Sequence, residues 1–392
     1  MSIEEIFNRG IVTEILPSRE ALFEFLQSGK RLKIYLGADP TSSSLHLSHA
    51  KNYWFLEDLR QLGHEVIVLI GDFTARIGDP SDRQATRPPL TPEQIKTNVE
   101  NWLNQLKLLL DFSDPKNPPR LLYNSAWLDH LTLKEIIYLT ANFTVQQMLE
   151  RDMFVKRLTD HTPIHLHEFL YPVLQGYDSV AMEVNAELCG TDQIFNALTG
   201  RTLLKRLKNQ EKFIIALNLM ANPKTGELMS KSRQTGVFLS SPPNEMYGAI
   251  MAEPDEMIEP LFLNCTRLPL ADKEKLMARG PRAAKAAVAL EIVKKIYGAA
   301  LANGAEAAFN QTFRAGGVPE DILEINLPPG AKLAEVLIAA GIVDSKSDWR
   351  RLIDEGAIRN EADQKITDPN FLPTTTEVLK IGKHRFVKIN IS

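Results

Sequence analysis

The feature that most constrains the fold is a run of apolar residues, VIVLI at 66–70, which ends at Gly71. A strand that is apolar on both faces has to be covered on both faces, as happens in parallel sheets flanked by helices. An earlier short strand is predicted over 32–36, and a helical pattern follows from about 48 to 62. Strand, helix and strand in this order predict a right-handed βαβ unit.

Later segments extend this α/β pattern and then change character. Thr91 followed by a proline predicts a capped helix start, and short strands are predicted at 121–123 and 213–217. From about 243 to 313 the pattern is helical, without strands, and its alanine-rich stretch 282–297 has strong helix propensity. The last 60 residues predict helices at 333–340 and 347–355 and short strands near Ile358, Val378 and 386–389.

The predicted fold class is therefore α/β. We expect a Rossmann-like parallel-sheet domain, then an α-helical domain and a small α+β domain. The expected bounds are 1–235 for the sheet domain, 236–314 for the helical domain, 315–331 for a linker with several Gly and Pro, and 332–392 for the last domain.

Composition excludes several classes of protein. The 392 residues are 44% apolar and 24% charged, as in globular proteins, and they contain no apolar run long enough to predict a membrane span. The N-terminal MSIEEIFNRG lacks the apolar core of a secretory signal. Cys189 and Cys265 are too few for a disulfide framework, so a cytoplasmic location is expected. The net charge of −4 weighs weakly against a nucleic-acid partner.

The densest group of polar side chains runs from Tyr35 to Thr41 and on to His46 and His49. It ends the predicted strand and opens the predicted helix, where open α/β sheets bind ligands. A helix start favours an anion, because its N–H groups are free and its dipole end is positive. The alternatives are a helix cap without further role, or a metal pair, for which no third ligand follows nearby.

A second group is LMSKS at 228–232, in a loop rich in Gly, Ser and Lys. Lys231 between two serine hydroxyls suits a pyrophosphate or triphosphate, which needs several donors and a positive charge. A solvated turn is the alternative.

A third group lies on the predicted helix 165–180. Tyr171, Gln175 and Asp178 are spaced i, i+4 and i+7, so they share one face of this largely apolar helix. A stripe of phenol, amide and carboxylate suits a polar ligand in a pocket, and a solvated face is the alternative. Asp79 and the sequence GTDQ at 190–193 follow other strands and are expected at the same edge of the sheet.

Together these motifs resemble those of the bacterial-type tyrosyl-tRNA synthetases, which are class I aminoacyl-tRNA synthetases, over essentially the whole chain. The segment 35–49 resembles the family signature leading into the HIGH motif, and 229–232 resembles KMSKS. Tyr171, Gln175 and Asp178, with 190–193, resemble the tyrosine-binding helix and the turn after it. The last 60 residues resemble an S4 RNA-binding domain.

The resemblance implies a two-step reaction and a role for each residue. Tyrosine is activated with Mg²⁺-ATP to tyrosyl-adenylate, and the tyrosyl group passes to the 3′ end of tRNA(Tyr); no metal held by the protein is implied. The phenol of tyrosine would be bound by Tyr35 and Asp178, and its amino and carboxylate groups by Asp79, Tyr171, Gln175 and Gln193. The implied ATP-binding residues are Gly37, Asp39, His46, His49, Asp192, Met229, Ser230, Lys231 and Ser232. Thr41, His46, His49 and Lys231 would act in catalysis.

The resemblance also implies partners. The family forms homodimers, and the insertion at about 125–165 resembles its interface, although the pattern alone predicts only amphipathic helices. Basic residues of the last domain would contact tRNA, with a solvated charged face as the alternative. They are Lys346, Arg350, Arg351, Lys383 and Arg385. No membrane partner is expected.

Two positions depart from the family motifs. Ser48 stands in the HIGH-type tetrad where glycine is usual, so a side chain has to fit near the nucleotide. Leu228 stands where KMSKS begins with lysine, which leaves Lys231 as the cation of the motif.

Three other functions remain open from the sequence. A small-molecule nucleotidyltransferase would share the HxxH phosphate site, but it would need neither a helical domain nor an RNA-binding tail. A synthetase-like protein that only binds RNA is suggested by Ser48 and Leu228. A tryptophan-specific relative should lack the pair Tyr35 and Asp178 and the tail.

Overall fold

A computed structural model of the chain describes residues 2–79, 90–229, 236–314, 323–328, 331–360, 364–373, 375–382 and 385–391. Contacts within the chain divide it into two compact units, Met1–Ala302 and Asn303–Ser392.

The first unit is built on a six-stranded sheet. Its strands are β1 (Val12–Leu16), β2 (Lys33–Ala38), β3 (Glu65–Ile70), β4 (Arg120–Tyr123), β5 (Ala186–Gly190) and β6 (Phe213–Leu217). Their order is β1-β6-β5-β2-β3-β4, with β1 antiparallel to β6 and every other pair parallel. The five apolar residues of β3 are fully buried, as the run at 66–70 predicts. The α/β parallel-sheet prediction is confirmed.

Helices cover this sheet and the loops between its strands. They are α1 (Ile3–Phe7), α2 (Arg19–Gln27), α3 (Leu47–Gln61), α4 (Pro92–Leu106), α5 (Ser125–Leu128), α6 (Leu133–Thr140), α7 (Val145–Leu149), α8 (Asp152–Thr159), α9 (Leu166–Met182) and α10 (Ile194–Lys208). The capping box predicted at Thr91 is present, since Thr91 and Gln94 bond each other's backbone N–H groups at the start of α4.

Helices without strands follow, as predicted for 243–313. They are α11 (Pro243–Ala252), α12 (Ile258–Cys265), α13 (Lys273–Met277), α14 (Pro281–Tyr297) and α15 (Ala299–Arg314). In the described part of the chain, no helix is both long and apolar enough to cross a membrane.

The second unit contains a four-stranded sheet. Its elements are β7 (Leu323–Leu327), α16 (Leu333–Ala339), α17 (Lys346–Asp354), β8 (Ile358–Asn360), β9 (Glu377–Ile381) and β10 (Arg385–Ile391), and its strand order is β7-β10-β9-β8. The prediction of a linker over 315–331 is wrong at 323–327, because β7 pairs in parallel with β10 and buries Ile325 and Leu327. The flanking Gly and Pro residues obscured this short alternating strand.

Candidate active site

A cavity of about 1010 Å³ lies where β2, β3 and β5 end at their carboxyl sides. This is the edge of the sheet at which the polar motifs were expected to meet. The predicted site residues that line it are Tyr35, Gly37, Asp39, Thr41, His46, His49, Asp79, Tyr171, Gln175, Asp178, Asp192, Gln193 and Met229. Ser230, Lys231 and Ser232 lie outside the described residues.

Asp178 is a buried residue of the cavity lining and is held by donors from outside the predicted set. Trp127 Nε1 donates to Asp178 Oδ1 at 2.7 Å, and Asn124 Nδ2 donates to Oδ2 at 3.3 Å. A carboxylate can accept about four hydrogen bonds, so acceptor capacity remains for a ligand hydroxyl. Burial raises the pKa of Asp178 well above its usual range, and these two hydrogen bonds partly oppose that rise.

The Tyr35 side chain also lines the cavity and is only 1% exposed. Burial raises the pKa of its hydroxyl well above the usual value, and the charges of Glu187 and Asp178 add to the rise. Tyr35 therefore remains a neutral phenol, which can both donate and accept one hydrogen bond.

Asp39 connects the strand end to the polar stripe on α9. Its Oδ2 accepts a hydrogen bond from the Tyr171 hydroxyl at 3.0 Å, and its Oδ1 accepts one from Thr74 at 2.6 Å. Burial raises the pKa of Asp39 to about 7, and the charge of Asp79 adds to the rise. Asp39 thus belongs to the same hydrogen-bonded group as Tyr171, although the resemblance placed it with the nucleotide.

Gln193 and Asp79 are hydrogen-bonded to each other at the same carboxyl edge of the sheet. Gln193 Nε2 donates to Asp79 Oδ2 at 2.6 Å and to Asp192 Oδ2 at 3.0 Å, while Asn196 Nδ2 donates to Gln193 Oε1 at 2.8 Å. These contacts join the turn after β5 to the segment after β3, so acids and amides from two strand ends face one space.

A buried ion pair that the sequence motifs did not predict lies beside this group. Lys212 and Glu187 are bonded to each other and are 0% and 2% exposed. Glu187 also accepts a hydrogen bond from Gln175, and Lys212 donates to Ser179. The available signal was a charged residue within or next to each of two apolar strands, β5 and β6.

His46 and His49 stand together at the start of α3 with ring centres 4.0 Å apart. The His46 backbone N–H donates to His49 Nδ1 at 3.2 Å, which leaves the proton of the neutral ring on Nε2. Burial lowers the pKa of His46 to about 4 and that of His49 well below its usual value. Both rings are therefore neutral at pH 7 and act as hydrogen-bond donors, not as charges.

Backbone hydrogen bonds connect this helix start to the segment after the 228–232 motif. The Leu47 N–H donates to the Val237 carbonyl at 3.0 Å, and the Leu239 N–H donates to the Leu45 carbonyl at 2.9 Å. Met229, just before the undescribed part of the loop, lines the cavity. Both described ends of the loop therefore lie beside the two histidines.

The two departures from the family motifs also face the cavity. Ser48 Oγ is buried and has no hydrogen-bond partner among the described residues. Leu228 is 42% exposed and contributes an apolar side chain to the cavity lining.

The basic residues predicted to contact RNA lie in the second unit. Lys346 pairs with Glu335, and Arg351 pairs with Asp348 and Glu355. Arg385 donates to the Ile342 carbonyl. Arg350 is exposed on α17 and has no ion pair among the described residues, and Lys383 lies outside them.

Comparison with known proteins identifies the class. The family model described as "tRNA synthetases class I (W and Y)" matches residues 27–314, about three quarters of the chain. A parallel sheet with its polar groups at the strand ends, and with the HIGH-type helix start between β2 and β3, fits that class.

Similar proteins narrow the class further. The tyrosine–tRNA ligase of Haemophilus ducreyi is 40% identical over 100% of this chain and 99% of its own length. That of Photobacterium profundum is 39% identical over 98% of this chain and 97% of its own length. This chain belongs to the tyrosine–tRNA ligase family, and the resemblance drawn from the motifs is confirmed.

Solved structures share the fold. A truncated mitochondrial tyrosyl-tRNA synthetase of Aspergillus nidulans has a TM-score of 0.66 at 24% identity and covers 79% of this chain and 93% of its own. The tyrosyl-tRNA synthetase of Archaeoglobus fulgidus complexed with L-tyrosine has a TM-score of 0.59 at 18% identity and covers 77% of this chain and 99% of its own.

Proposed function

We propose that this protein activates L-tyrosine with ATP, releasing pyrophosphate, and transfers the tyrosyl group to the 3′ end of tRNA(Tyr). The observation that carries the proposal is the buried pair Asp178 and Tyr35 in the cavity lining, which has hydrogen-bonding capacity left for one hydroxyl. A phenylalanine side chain would leave both without a partner, which is how a polar pocket rejects an apolar analogue.

The amino group of tyrosine would lie toward α9 and the strand ends. Asp79, Tyr171 and Gln175 offer oxygens there, and Asp39 adds a negative charge through its bond to Tyr171. Gln193 lies between this group and Asp192 and would contact the substrate carboxylate.

ATP would occupy the part of the cavity beside the two histidines. Gly37 has no side chain, so the strand end can approach the nucleotide closely, and Asp192 would bind the ribose. Thr41, His46 and His49 would donate to phosphate oxygens, and Met229 lines the same space. Ser230, Lys231 and Ser232, which lie outside the described residues, would bind the phosphates as the motif resemblance implies. Mg²⁺ would enter as part of the Mg²⁺-ATP substrate.

The chemistry follows from positioning. The tyrosine carboxylate attacks the α-phosphorus, an anhydride bond to adenylate forms, and the bond to pyrophosphate breaks. No strong general base is needed, because the attacking carboxylate is already ionised. The protein therefore contributes alignment and stabilisation of charge on the departing pyrophosphate.

We propose that the second unit contacts the tRNA. Arg350 is the best-placed cation, because its charge is exposed and unpaired within the described part of that unit. The ion pairs of Lys346 and Arg351 are exposed and weak, so phosphates could replace those partners. The proposed tRNA contacts also include Lys383 and Arg385, which lie nearer the C-terminus in the sequence.

We also propose a homodimer through the insertion at 125–165. Large apolar side chains face outward on α6 to α9, including Leu133 at 73% and Leu166 at 85% exposed. Ile137, Tyr138, Val145 and Leu158 extend this exposed apolar surface. A patch of this kind on one copy is covered well by the same patch on a second copy.

ATP–pyrophosphate exchange tests the proposed function. The purified protein should exchange label with tyrosine and not with tryptophan or without amino acid. Asp178→Ala should lose roughly tenfold in kcat/KM for tyrosine, since a buried hydroxyl left without its hydrogen-bond partner costs about 1–3 kcal/mol. Asp272→Ala, at an exposed carboxylate, is the matched control. Unchanged exchange in Asp178→Ala would exclude this assignment of the pocket.

A further inference from the structure

Behind the cavity, an amine is buried among the residues proposed to recognise tyrosine. Lys212 is 0% exposed and directly precedes β6. Its Nζ bonds Glu187 and donates to Ser179 Oγ at 2.9 Å, and it lies 5.9 Å from the centre of the Tyr35 ring. A fully buried charge is costly unless it is paired, so a lysine at this depth needs a reason beyond packing.

The first consequence concerns Gln175. Its Nε2 donates to Glu187 Oε1 at 3.3 Å. A carboxylate can only accept, so the amide must turn its N–H₂ toward Glu187 and its oxygen away from it. Lys212 donates to the other Glu187 oxygen, Oε2, and so holds Oε1 toward Gln175. The orientation of Gln175 that presents an acceptor to an ammonium group thus depends on Lys212.

The second consequence concerns Tyr35. An ammonium can only donate, so Ser179 Oγ accepts from Lys212, and its own proton can be donated to the Tyr35 oxygen 3.0 Å away. Glu187 is also within hydrogen-bonding reach of the Tyr35 hydroxyl. Lys212 and Gln175 donate to its two oxygens, each of which can accept one more hydrogen bond. With Ser179 as the donor to Tyr35, the Tyr35 proton is directed toward Glu187 and the cavity, where a ligand hydroxyl can accept it instead.

Two glycines make room for the amine. A Cβ at Gly200 on α10 would lie 2.6 Å from Lys212 Nζ and 2.8 Å from Ser179 Oγ. A Cβ at Gly176 on α9 would lie 3.0 Å from the Gly200 nitrogen. The helices approach closely enough for Lys212 to bridge α9 and β5 only because both side chains are absent.

We propose that Lys212 is a positioning residue for tyrosine specificity. It fixes the direction of the hydrogen bonds at both ends of the bound amino acid, at the ammonium end through Glu187 and Gln175 and at the phenol end through Ser179 and Tyr35. It touches neither substrate nor ATP. The inference rests on the proposed function of the cavity.

The test compares Lys212→Met with Lys212→Met/Glu187→Gln in ATP–pyrophosphate exchange with tyrosine and with phenylalanine. Lys212→Met should lower the tyrosine-to-phenylalanine ratio of kcat/KM by roughly tenfold, as expected for one misdirected hydrogen bond at the phenol end. It should raise the KM for tyrosine by at least as much, because the hydrogen bond at the ammonium end, which phenylalanine shares, is weakened as well. The KM for ATP and the kcat should change less than threefold. The double variant, which removes the unpaired carboxylate, should regain thermal stability but not the ratio.

The controls separate positioning from folding. Arg60→Met removes another buried cation, paired with Glu57 and Asp114 away from the cavity, and should lower the Tm without changing the ratio. Recovery of the ratio together with stability in the double variant would overturn the proposal, as would a ratio within twofold of wild type in Lys212→Met. Tyrosine affinity is also measured by titration without ATP. If wild type shows no tyrosine-dependent exchange, the proposed function fails, while the titration still decides the role of Lys212.

Discussion

Asp39 brings a proton equilibrium into the cavity near neutral pH. Its pKa of about 7 arises mainly from burial, which penalises the charged form. The neighbouring histidines do not share this behaviour, because burial lowers the pKa of His46 to about 4 and that of His49 well below its usual value. Of Asp39, His46 and His49, Asp39 is therefore the side chain whose charge changes between pH 6 and 8.

We predict that tyrosine binds about tenfold more tightly at pH 8 than at pH 6, because only the ionised Asp39 attracts an ammonium group and half of it is protonated near pH 7. Asp39→Asn should make the affinity nearly independent of pH. Titration of the protein with tyrosine at both pH values measures this. A flat wild-type profile would contradict it.

The same shift has a consequence for stability with a definite sign. The folded state holds a proton on Asp39 up to a pH of about 7, whereas the usual value is 3.8. Between these values the folded state binds more protons than the unfolded state, so this group lowers the free energy of unfolding as the pH rises. Asp39→Asn should remove that contribution.

Single residues also show how far the sequence could predict the site. Tyr171, Gln175 and Asp178 could be found because they share one helix and the helical period brings them to one face. Glu187 and Lys212 could not, because they lie on different segments and meet only through the pairing of β5 with β6. Thr74 and Trp127 were missed for the same reason, since each reaches its carboxylate across the fold.

At the scale of elements, the close contact between α9 and α10 positions the polar stripe formed by Tyr171, Gln175 and Asp178. Gly176 lies inside α9, where a side chain would meet the Gly200 nitrogen at 3.0 Å and the Thr199 Cγ2 at 3.0 Å. One of these atoms belongs to the backbone of α10, so the neighbour cannot move without shifting the helix. The position of the stripe relative to β5 therefore depends on glycine, which has no side chain, at position 176.

We predict that Gly176→Ala lowers the free energy of unfolding by about 1–3 kcal/mol through overpacking, despite the better helix propensity of alanine. Gly248→Ala on α11 is the matched variant, because a Cβ there meets nothing within 4 Å. It should raise the free energy of unfolding by about 0.5–1 kcal/mol. Urea denaturation measures both, and equal changes in the two variants would refute the packing argument.

Elements with a strong local sequence signal could be predicted, whereas the short strand β7 could not. β3 and α4 were predicted from a continuous apolar run and a capping box, which are local signals. β7 has five residues between Gly and Pro positions, and its strand partner β10 is distant in sequence. Only the pairing with β10 makes it a strand, so local propensity could not identify it.

At the scale of the whole molecule, charge is distributed unevenly, which is why the net value of −4 misleads. Acidic side chains gather at the strand ends of the first unit, where an amino acid and a ribose would bind. The region 332–392 has 10 Lys and Arg against 9 Asp and Glu, and its basic residues are clustered. A nucleic-acid partner depends on such local clusters rather than on the average.

The membership of β7 in the second sheet determines where the chain can be cut. A chain that ends after Arg314 loses the whole sheet, whereas one that ends at Gly330 keeps β7 without β10 and exposes an unpaired strand edge. We predict that the protein ending at Arg314 still forms tyrosyl-adenylate at a rate within about threefold of the full chain, because the cavity is built from the first unit.

The same truncation should weaken tRNA charging by at least about tenfold in kcat/KM, since phosphate contacts dominate nucleic-acid affinity. Raising the salt concentration should reduce charging by the full chain more steeply than charging by the truncated one. Pyrophosphate exchange and tRNA aminoacylation, measured on both proteins, test this. The protein ending at Gly330 should aggregate more than the one ending at Arg314, because β7 then offers its edge to other chains. Equal charging by the full and truncated chains would place tRNA recognition in the first unit instead.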